Sequence, residues 1–141
     1  MDRVVIERKL ESLRRCLQRI REKRADAALR LETDLDLQDV LVLNLSRAVQ
    51  TCVDIATHII ASRELPIPQT MGESFLRLAE GGVIDAELSQ RLRRAVGFRN
   101  IAVHNYDAID WNIVRALTGD PLEDFETFAR HVVAVLEQEA P

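Results

Sequence analysis

Residues 41–60 read LVLNLSRAVQTCVDIATHII, and this stretch decides the fold because its apolar side chains recur at helical spacing. One seam runs from Leu41 to Ile59 in steps of three and four, and further aliphatic residues widen it. A helix that is apolar over so much of its circumference is expected at the centre of the molecule. This helix is predicted to begin at a capping box at residues 33–36 and to end near Arg63.

Further helices are predicted on both sides of the central one from the same repeat and from capping residues. Thr70 with Glu73, and then Asp85, mark two helix starts. Residues 25–32 either extend the first helix or form a loop. The last helix is expected to turn Val133 inward with its aliphatic neighbours. The other predicted helices cover residues 3–24, 70–80, 111–117 and 120–138, besides the one that begins at Asp85.

The predicted fold class is therefore all-α, an antiparallel up-and-down bundle of four longer helices with one or two short ones. A length of 141 residues suits one domain, residues 1–141, and 47% hydrophobic residues suffice for a core. Cys16 and Cys52 lie within helical patterns without a nearby partner, which indicates buried free thiols in a reducing compartment. The apolar runs are shorter than a membrane span and no signal peptide is evident, so a cytoplasmic protein without a membrane partner is expected.

The charge of the chain is unevenly distributed. A net charge of −4 argues against general nucleic-acid binding, and no DNA partner is predicted. Between Glu87 and Asp107 there is no acidic residue, although this interval contains four arginines, at positions 91, 93, 94 and 99. This local positive region suits a specific anionic ligand. The first 24 residues are also basic, and there ordinary solvated helix faces are the simpler interpretation.

Residues 99–106 read RNIAVHNY and contain the most unusual side chains of the predicted packing faces. Arg99 continues the seam of Leu88, Leu92 and Val96, where an unpaired charge costs on the order of several kcal/mol without an acidic partner, a water-filled cleft or a bound anion. His104 lies five positions later, which is roughly 140° away around an unbroken helix.

Two arrangements can bring Arg99 and His104 to the same atoms. Either the helix bends or ends near Val103, with Gly97 as a weak point, or a second copy of the chain supplies one of the two. Asp54 and His58, one turn apart on the central helix, share a face and can approach the Arg99 region. Their alternative role is structural, as a satisfied polar residue and a surface histidine. A metal site built from Asp54, His58 and His104 lacks the usual ligand spacing, so no metal and no cofactor are expected.

Three blocks of the sequence resemble the HepT-like branch of the HEPN superfamily, the toxin half of HepT and MntA toxin–antitoxin pairs. They are residues 47–60, residues 65–84 and residues 96–110, in family order. The third block contains the family's Arg-x4-His-x-Tyr motif as Arg99, His104 and Tyr106.

The resemblance implies a metal-independent endoribonuclease that acts as a homodimer, with two copies of the motif in a cleft at the interface. Carried over by position, Arg99 and His104 are the catalytic pair and Asn100 is the polar residue that follows the arginine. Tyr106 is the residue that a nucleotidyltransferase antitoxin modifies with AMP, which silences the toxin. The alternative is a non-catalytic helical dimer that docks a nucleotidyltransferase or binds a nucleotide.

Overall fold

The computed structural model describes residues 1–139, and all the regular secondary structure within them is helical. Four helices are long and three are short, and a 3₁₀ turn at Tyr106–Ala108 follows the fifth helix. In chain order the helices are α1 (Arg3–Glu22), α2 (Arg24–Arg30), α3 (Leu35–Ser62), α4 (Met71–Glu80), α5 (Ala86–His104), α6 (Trp111–Leu117) and α7 (Leu122–Glu139). The all-α bundle of four longer helices is confirmed.

The short helices number three within residues 1–139, one more than the largest number predicted. The additional one is α2, which occupies most of the segment that the sequence left open between helix and loop. The first helix ends at Glu22 rather than Arg24, and Lys23 caps its carboxyl end by donating its backbone N–H to Ile20 O at 3.1 Å. Helix α2 contributes Ala27 to the core, and Leu31 directly after it is fully buried.

Helix α3 lies at the centre, as its composition predicts. Fourteen of its 28 residues are buried, and it packs against α1, α4, α5 and α7. By length and composition alone α3 is apolar enough to cross a membrane, but half of its most apolar 18-residue window is buried inside the fold. Burial within a bundle therefore accounts for its apolar character.

The amino-terminal caps of three helices fix where these helices begin. The capping box predicted at residues 33–36 is wrong, because Asp34 caps α3 by accepting from Leu37 N at 3.0 Å. Thr33 instead donates its hydroxyl to Arg30 O at the end of α2. The caps predicted at Thr70 and Asp85 are confirmed, with the Thr70 hydroxyl accepting from Glu73 N at 3.1 Å.

Helix α7 closes the core through its aromatic residues. Phe128 is fully buried and meets Phe75 of α4 edge to face, with ring centroids 5.8 Å apart. Val133 was expected to point inward, but it is 42% exposed, and Val135 is buried in its place. All five residues from Val132 to Leu136 are aliphatic, so the repeat alone does not fix which of them faces the core.

The thiols and the basic residues of α1 are as predicted. Cys16 and Cys52 are free and buried, and burial raises the pKa of both thiols. Arg14 pairs with Glu11 and Arg19 with Glu22, each at 2.7 Å on the exposed side of the helix. Such exposed pairs are typical of a solvated helix face.

Candidate active site

Helix α5 carries the Arg-x4-His-x-Tyr motif at its carboxyl end. The predicted seam faces the core through Leu88, Leu92 and Val96, but it does not continue to Val103, which is 52% exposed. The buried side shifts to Ala102 in the last turn, and Phe98, one turn earlier, lines a cavity together with Ile113 and Leu117 of α6. The motif therefore lies where α5 leaves the core for the surface.

Arg99 is half-buried at this transition. Its guanidinium Nη1 donates to Asn100 Oδ1 at 3.3 Å, a neutral acceptor on the neighbouring residue. No ion pair of Arg99 occurs within residues 1–139. Of the three environments expected for this charge, the acidic partner is therefore absent from the described chain, and a cleft or a bound anion remains.

His104 is the last residue of α5 and is exposed. Of the two possibilities predicted near Val103, the bend is absent, because α5 runs unbroken through Gly97, and the helix end is confirmed, since α5 stops at His104 with Asn105 as its cap. The Asn105 amide donates to Ile101 O at 2.8 Å, which closes the last helical turn. Arg99 and His104 of one chain consequently leave the helix in directions roughly 140° apart.

A groove of about 570 Å³ runs beside the motif between the start of α4 and the outer side of α5. Arg93, Arg94 and Asn100 line it with Gln90 and Gly97, and no acidic side chain is among its lining residues. Neither Arg93 nor Arg94 takes part in an ion pair within the described chain. Gly97 leaves its floor open, because a Cβ there meets nothing within 4 Å. This groove can accept an extended anion.

Tyr106 begins the 3₁₀ turn and is 39% exposed. Its hydroxyl donates to Asp39 Oδ1 of α3 at 2.9 Å, and its ring meets Trp111 edge to face with centroids 6.0 Å apart. Burial, followed by the hydrogen bond and the charge of Asp39, raises the pKa of Tyr106 to about 12. The phenol is therefore protonated at neutral pH.

The contacts of Asp54 do not connect it or its neighbour His58 to the motif. The Asp54 carboxylate accepts from Gln50 at 2.9 Å and from Lys9 of α1 at 3.4 Å. These contacts satisfy Asp54 between α1 and α3, which is the structural role that the sequence left open. In the described part of the chain, Asp54, His58 and His104 do not gather into a group that could hold a metal ion.

Two features of this region could not be read from the sequence. Asp39 is 67 residues from Tyr106, and helical periodicity places it only on the polar side of α3. The groove forms only where the start of α4 packs beside α5, and the motif does not indicate which helix lies next to it. The acid-free interval between Glu87 and Asp107 was the available clue to the groove; for Asp39 there was none.

Known proteins share this fold over nearly the whole chain. A solved structure described as a tri-AMPylated Shewanella oneidensis HEPN toxin in complex with MNT antitoxin superposes with a TM-score of 0.88 at 39% identity, covering 95% of this chain and 99% of that one. The architecture is therefore that of HEPN toxins.

Curated relatives narrow the class further. The chain is 40% identical over 124 residues to the mRNA nuclease HepT of Shewanella oneidensis, covering 88% of this chain and 92% of the relative. It is 26% identical over 133 residues to the tRNA nuclease HepT of Aphanizomenon flos-aquae, covering 94% and 90%. The family model described as Ribonuclease HepT-like matches residues 6–132. The chain belongs to the HepT-like ribonuclease family.

Proposed function

We propose that this chain is the toxin of a toxin–antitoxin pair, a cytoplasmic endoribonuclease whose activity needs no metal ion and which folds as one domain. The observation that supports this proposal is the surface at the end of α5, where the half-buried Arg99 has no acidic partner within residues 1–139 and His104 is exposed. A cation kept without a counterion at the edge of a core suits a site that receives a phosphate.

The residue types match the chemistry of RNA cleavage. The 2′-hydroxyl of RNA is an internal nucleophile, so the reaction needs a group that moves its proton and a positive charge beside the phosphorane. His104 moves the proton, since one imidazole nitrogen can accept a proton and the protonated ring can donate one. Arg99 clamps the phosphate through its planar fork, and Asn100, which accepts from Arg99 at 3.3 Å, orients that fork.

The site is assembled from two copies of the chain. Arg99 and His104 of one copy diverge by roughly 140° on an unbroken helix, so they do not reach the same phosphate from one protomer. A twofold axis beside the end of α5 brings the arginine of one copy towards the histidine of the other. The homodimer is thus required for cleavage.

The RNA backbone follows the groove between α4 and α5. Asn100 belongs both to the motif and to the groove wall, so the groove continues directly from the reaction site. From His104 to Arg93 the helix rises about 16 Å, a length that spans several consecutive phosphates of one strand. Arg93 and Arg94 bind these flanking phosphates.

A nucleotidyltransferase antitoxin silences the toxin by transferring AMP to the hydroxyl of Tyr106. The relative described as tri-AMPylated carries this class of modification in complex with its antitoxin. An adenylate on Tyr106 adds a negatively charged phosphodiester two residues from His104, where it repels and displaces the substrate phosphate. No membrane and no DNA partner belong to this function.

The experiment that tests the function is cleavage of an oligoribonucleotide in the presence of EDTA. The wild type should cut it and leave 2′,3′-cyclic phosphate ends, and a 2′-deoxy substitution at the cut position should stop the reaction. His104→Ala should lose about 10²–10⁴-fold in rate. His131→Ala, which removes a histidine from α7, is the matched control and should retain the wild-type rate. Cleavage by the His104→Ala protein at the wild-type rate would refute the assignment.

A non-catalytic dimer that only docks a nucleotidyltransferase is the competing function. The groove is what favours the enzyme, because a docking surface has no need of an acid-free channel beside an exposed histidine. Wild-type protein that binds the antitoxin but leaves RNA intact would favour the docking protein.

A further inference from the structure

The hydroxyl of Tyr106 is held by a carboxylate that lies outside the sequence motif. Tyr106 Oη donates to Asp39 Oδ1 at 2.9 Å, and Asp39 is exposed near the beginning of α3. Because Tyr106 itself is 39% exposed, this bond forms at a surface that a partner protein can reach. Donor and acceptor lie within the distance at which a general base takes a proton.

The local backbone fixes the direction of the phenol. Ile109 N donates to Tyr106 O at 3.1 Å, and the buried Ile109 anchors the turn in the core. Trp111 contacts one side of the ring. The hydroxyl is therefore presented to Asp39 in a defined orientation, which is what a positioned nucleophile requires.

The phenol needs a base before it can act as a nucleophile. Its pKa of about 12 keeps it protonated at neutral pH, and a neutral hydroxyl attacks phosphorus poorly. Burial is the largest cause of this shift, and Asp39 is the charged group that contributes to it. A carboxylate next to the hydroxyl disfavours a free phenolate, but it accepts the proton as the new bond forms.

We propose that Asp39 is the general base for the nucleotidylation of Tyr106, so that the toxin supplies a catalytic residue for its own silencing. Tyr106 Oη attacks the α-phosphorus of a nucleoside triphosphate bound by the antitoxin. The Oη–P bond forms, the bond from the α-phosphorus to the bridging oxygen breaks, and pyrophosphate leaves. The phenolic proton passes to Asp39 Oδ1.

Transfer of the proton also removes a charge conflict. The new phosphodiester carries a negative charge beside Asp39, and protonation makes the carboxyl neutral while the bond forms. The exposed Asp39 then returns the proton to water. This assignment rests on the proposed modification of Tyr106 and adds the residue that activates it.

The test is the rate of AMP transfer to the full-length toxin by its nucleotidyltransferase, at a partner concentration that saturates the complex. Asp39→Asn removes the base but keeps the shape, and the rate should fall by about 10²–10⁴-fold. Asp36→Asn removes the same charge one turn earlier on α3, where the Asp36 carboxylate accepts no hydrogen bond within residues 1–139, and this variant should accept AMP at the wild-type rate. Equal rates for Asp39→Asn and the wild type would overturn the proposal.

Two further variants separate base catalysis from docking or folding. Asp39→Glu keeps a carboxylate and should retain more activity than Asp39→Asn, so equal losses in both would overturn the proposal. Tyr106 is the one tyrosine of the chain, so global incorporation of a ring-fluorinated tyrosine makes only this phenol more acidic. Fluorination should raise the AMP-transfer rate of Asp39→Asn at least about tenfold, because a more acidic phenol depends less on a general base. A loss that fluorination does not reduce would instead place Asp39 in docking.

RNA cleavage by the unmodified wild type is measured in parallel. Wild-type toxin that accepts AMP on Tyr106 with the expected Asp39 dependence but cuts no RNA would refute the ribonuclease and leave the base assignment standing. Wild-type toxin that cuts RNA but accepts no AMP on Tyr106 would overturn the base assignment and leave the ribonuclease standing.

Discussion

Mixing two inactive variants should restore activity if the site is shared between protomers. Arg99→Ala and His104→Ala each lack one member of the pair, and each homodimer should be inactive. In a heterodimer of the two, one site loses both residues and the other keeps an intact arginine and an intact histidine. The expectation follows from the unbroken α5, on which the two residues diverge by roughly 140°.

The size of the recovery follows from counting sites. Random re-association makes about half of the dimers heterodimers, and each carries one working site of two, so the mixture should reach about a quarter of the wild-type specific activity. The assay is cleavage of a labelled oligoribonucleotide after the two variants have been unfolded together and refolded. Native mass spectrometry with one mass-tagged variant measures the heterodimer fraction.

The control replaces one partner of the mixture. Arg99→Ala mixed with the double variant Arg99→Ala/His104→Ala contains no arginine at any site, so it should stay inactive whichever chain supplies the histidine. Heterodimers of the first mixture that form in the expected fraction but remain inactive would refute the shared site, and both residues would then have to act from one chain.

Three further expectations concern binding, titration and stability. The double variant Arg93→Ala/Arg94→Ala should bind a 2′-methylated, uncleavable RNA with a slope of log affinity against log salt that is about 1.4 smaller, because two phosphate contacts are lost. Between 50 and 200 mM salt its loss of affinity should therefore be about sevenfold smaller than that of the wild type. The absorbance of the single tyrosinate should titrate at about pH 12 in the wild type and at a lower pH in Asp39→Asn, because the hydrogen bond and charge that help raise the pKa of Tyr106 are removed. Since the pKa of Tyr106 in the folded protein lies above the ordinary tyrosine value of 10.0, this contribution to stability is complete below pH 10 and is lost as the pH rises towards 12. Phe128→Ala should lower the free energy of unfolding by about 3–5 kcal/mol in urea titrations, because it empties the fully buried contact with α4.

Each of these three predictions has a matched control variant. Arg91→Ala removes a charge from α5 outside the groove, where Arg91 pairs with Asp124 at 2.8 Å, and it should leave the salt slope unchanged. Asp36→Asn should leave the tyrosinate titration at its wild-type midpoint. Val133→Ala truncates a residue of α7 that is 42% exposed and should change stability by less than about 1 kcal/mol. A salt slope that falls equally in Arg91→Ala would show that net charge, rather than the groove, sets binding.

The long helices were predictable because their repeats are extended and their caps are local. Helix α3 has a wide apolar side over 28 residues, and Thr70 and Asp85 cap from within three residues of their partners. Helix α2 was not predictable, because its seven residues contribute one buried side chain and its position depends on contacts far along the chain. Arg115 of α6 donates to Ala27 O at 3.1 Å across 88 residues.

The motif residues were predictable and their environment was not. Spacing and resemblance found Arg99, His104 and Tyr106, and the repeat gave the angle between the first two. The bond from Tyr106 to Asp39 depends on how α3 and α5 pack at one end of the bundle, and periodicity gives a helix face without naming its neighbour. The same limit led Asp54 to be considered for the motif, although its carboxylate binds Lys9 of α1.

The edge contact between Tyr106 and Trp111 provides a spectroscopic reporter of the proposed modification of Tyr106. These are the one tyrosine and the one tryptophan of the chain, and their ring centroids are 6.0 Å apart. A phosphodiester and a nucleoside attached to the phenol change the charge and the surroundings of the neighbouring indole, so the emission of an unlabelled protein should change as AMP is added. The silencing of this toxin can therefore be followed in real time by intrinsic fluorescence, without a dye or an isotope.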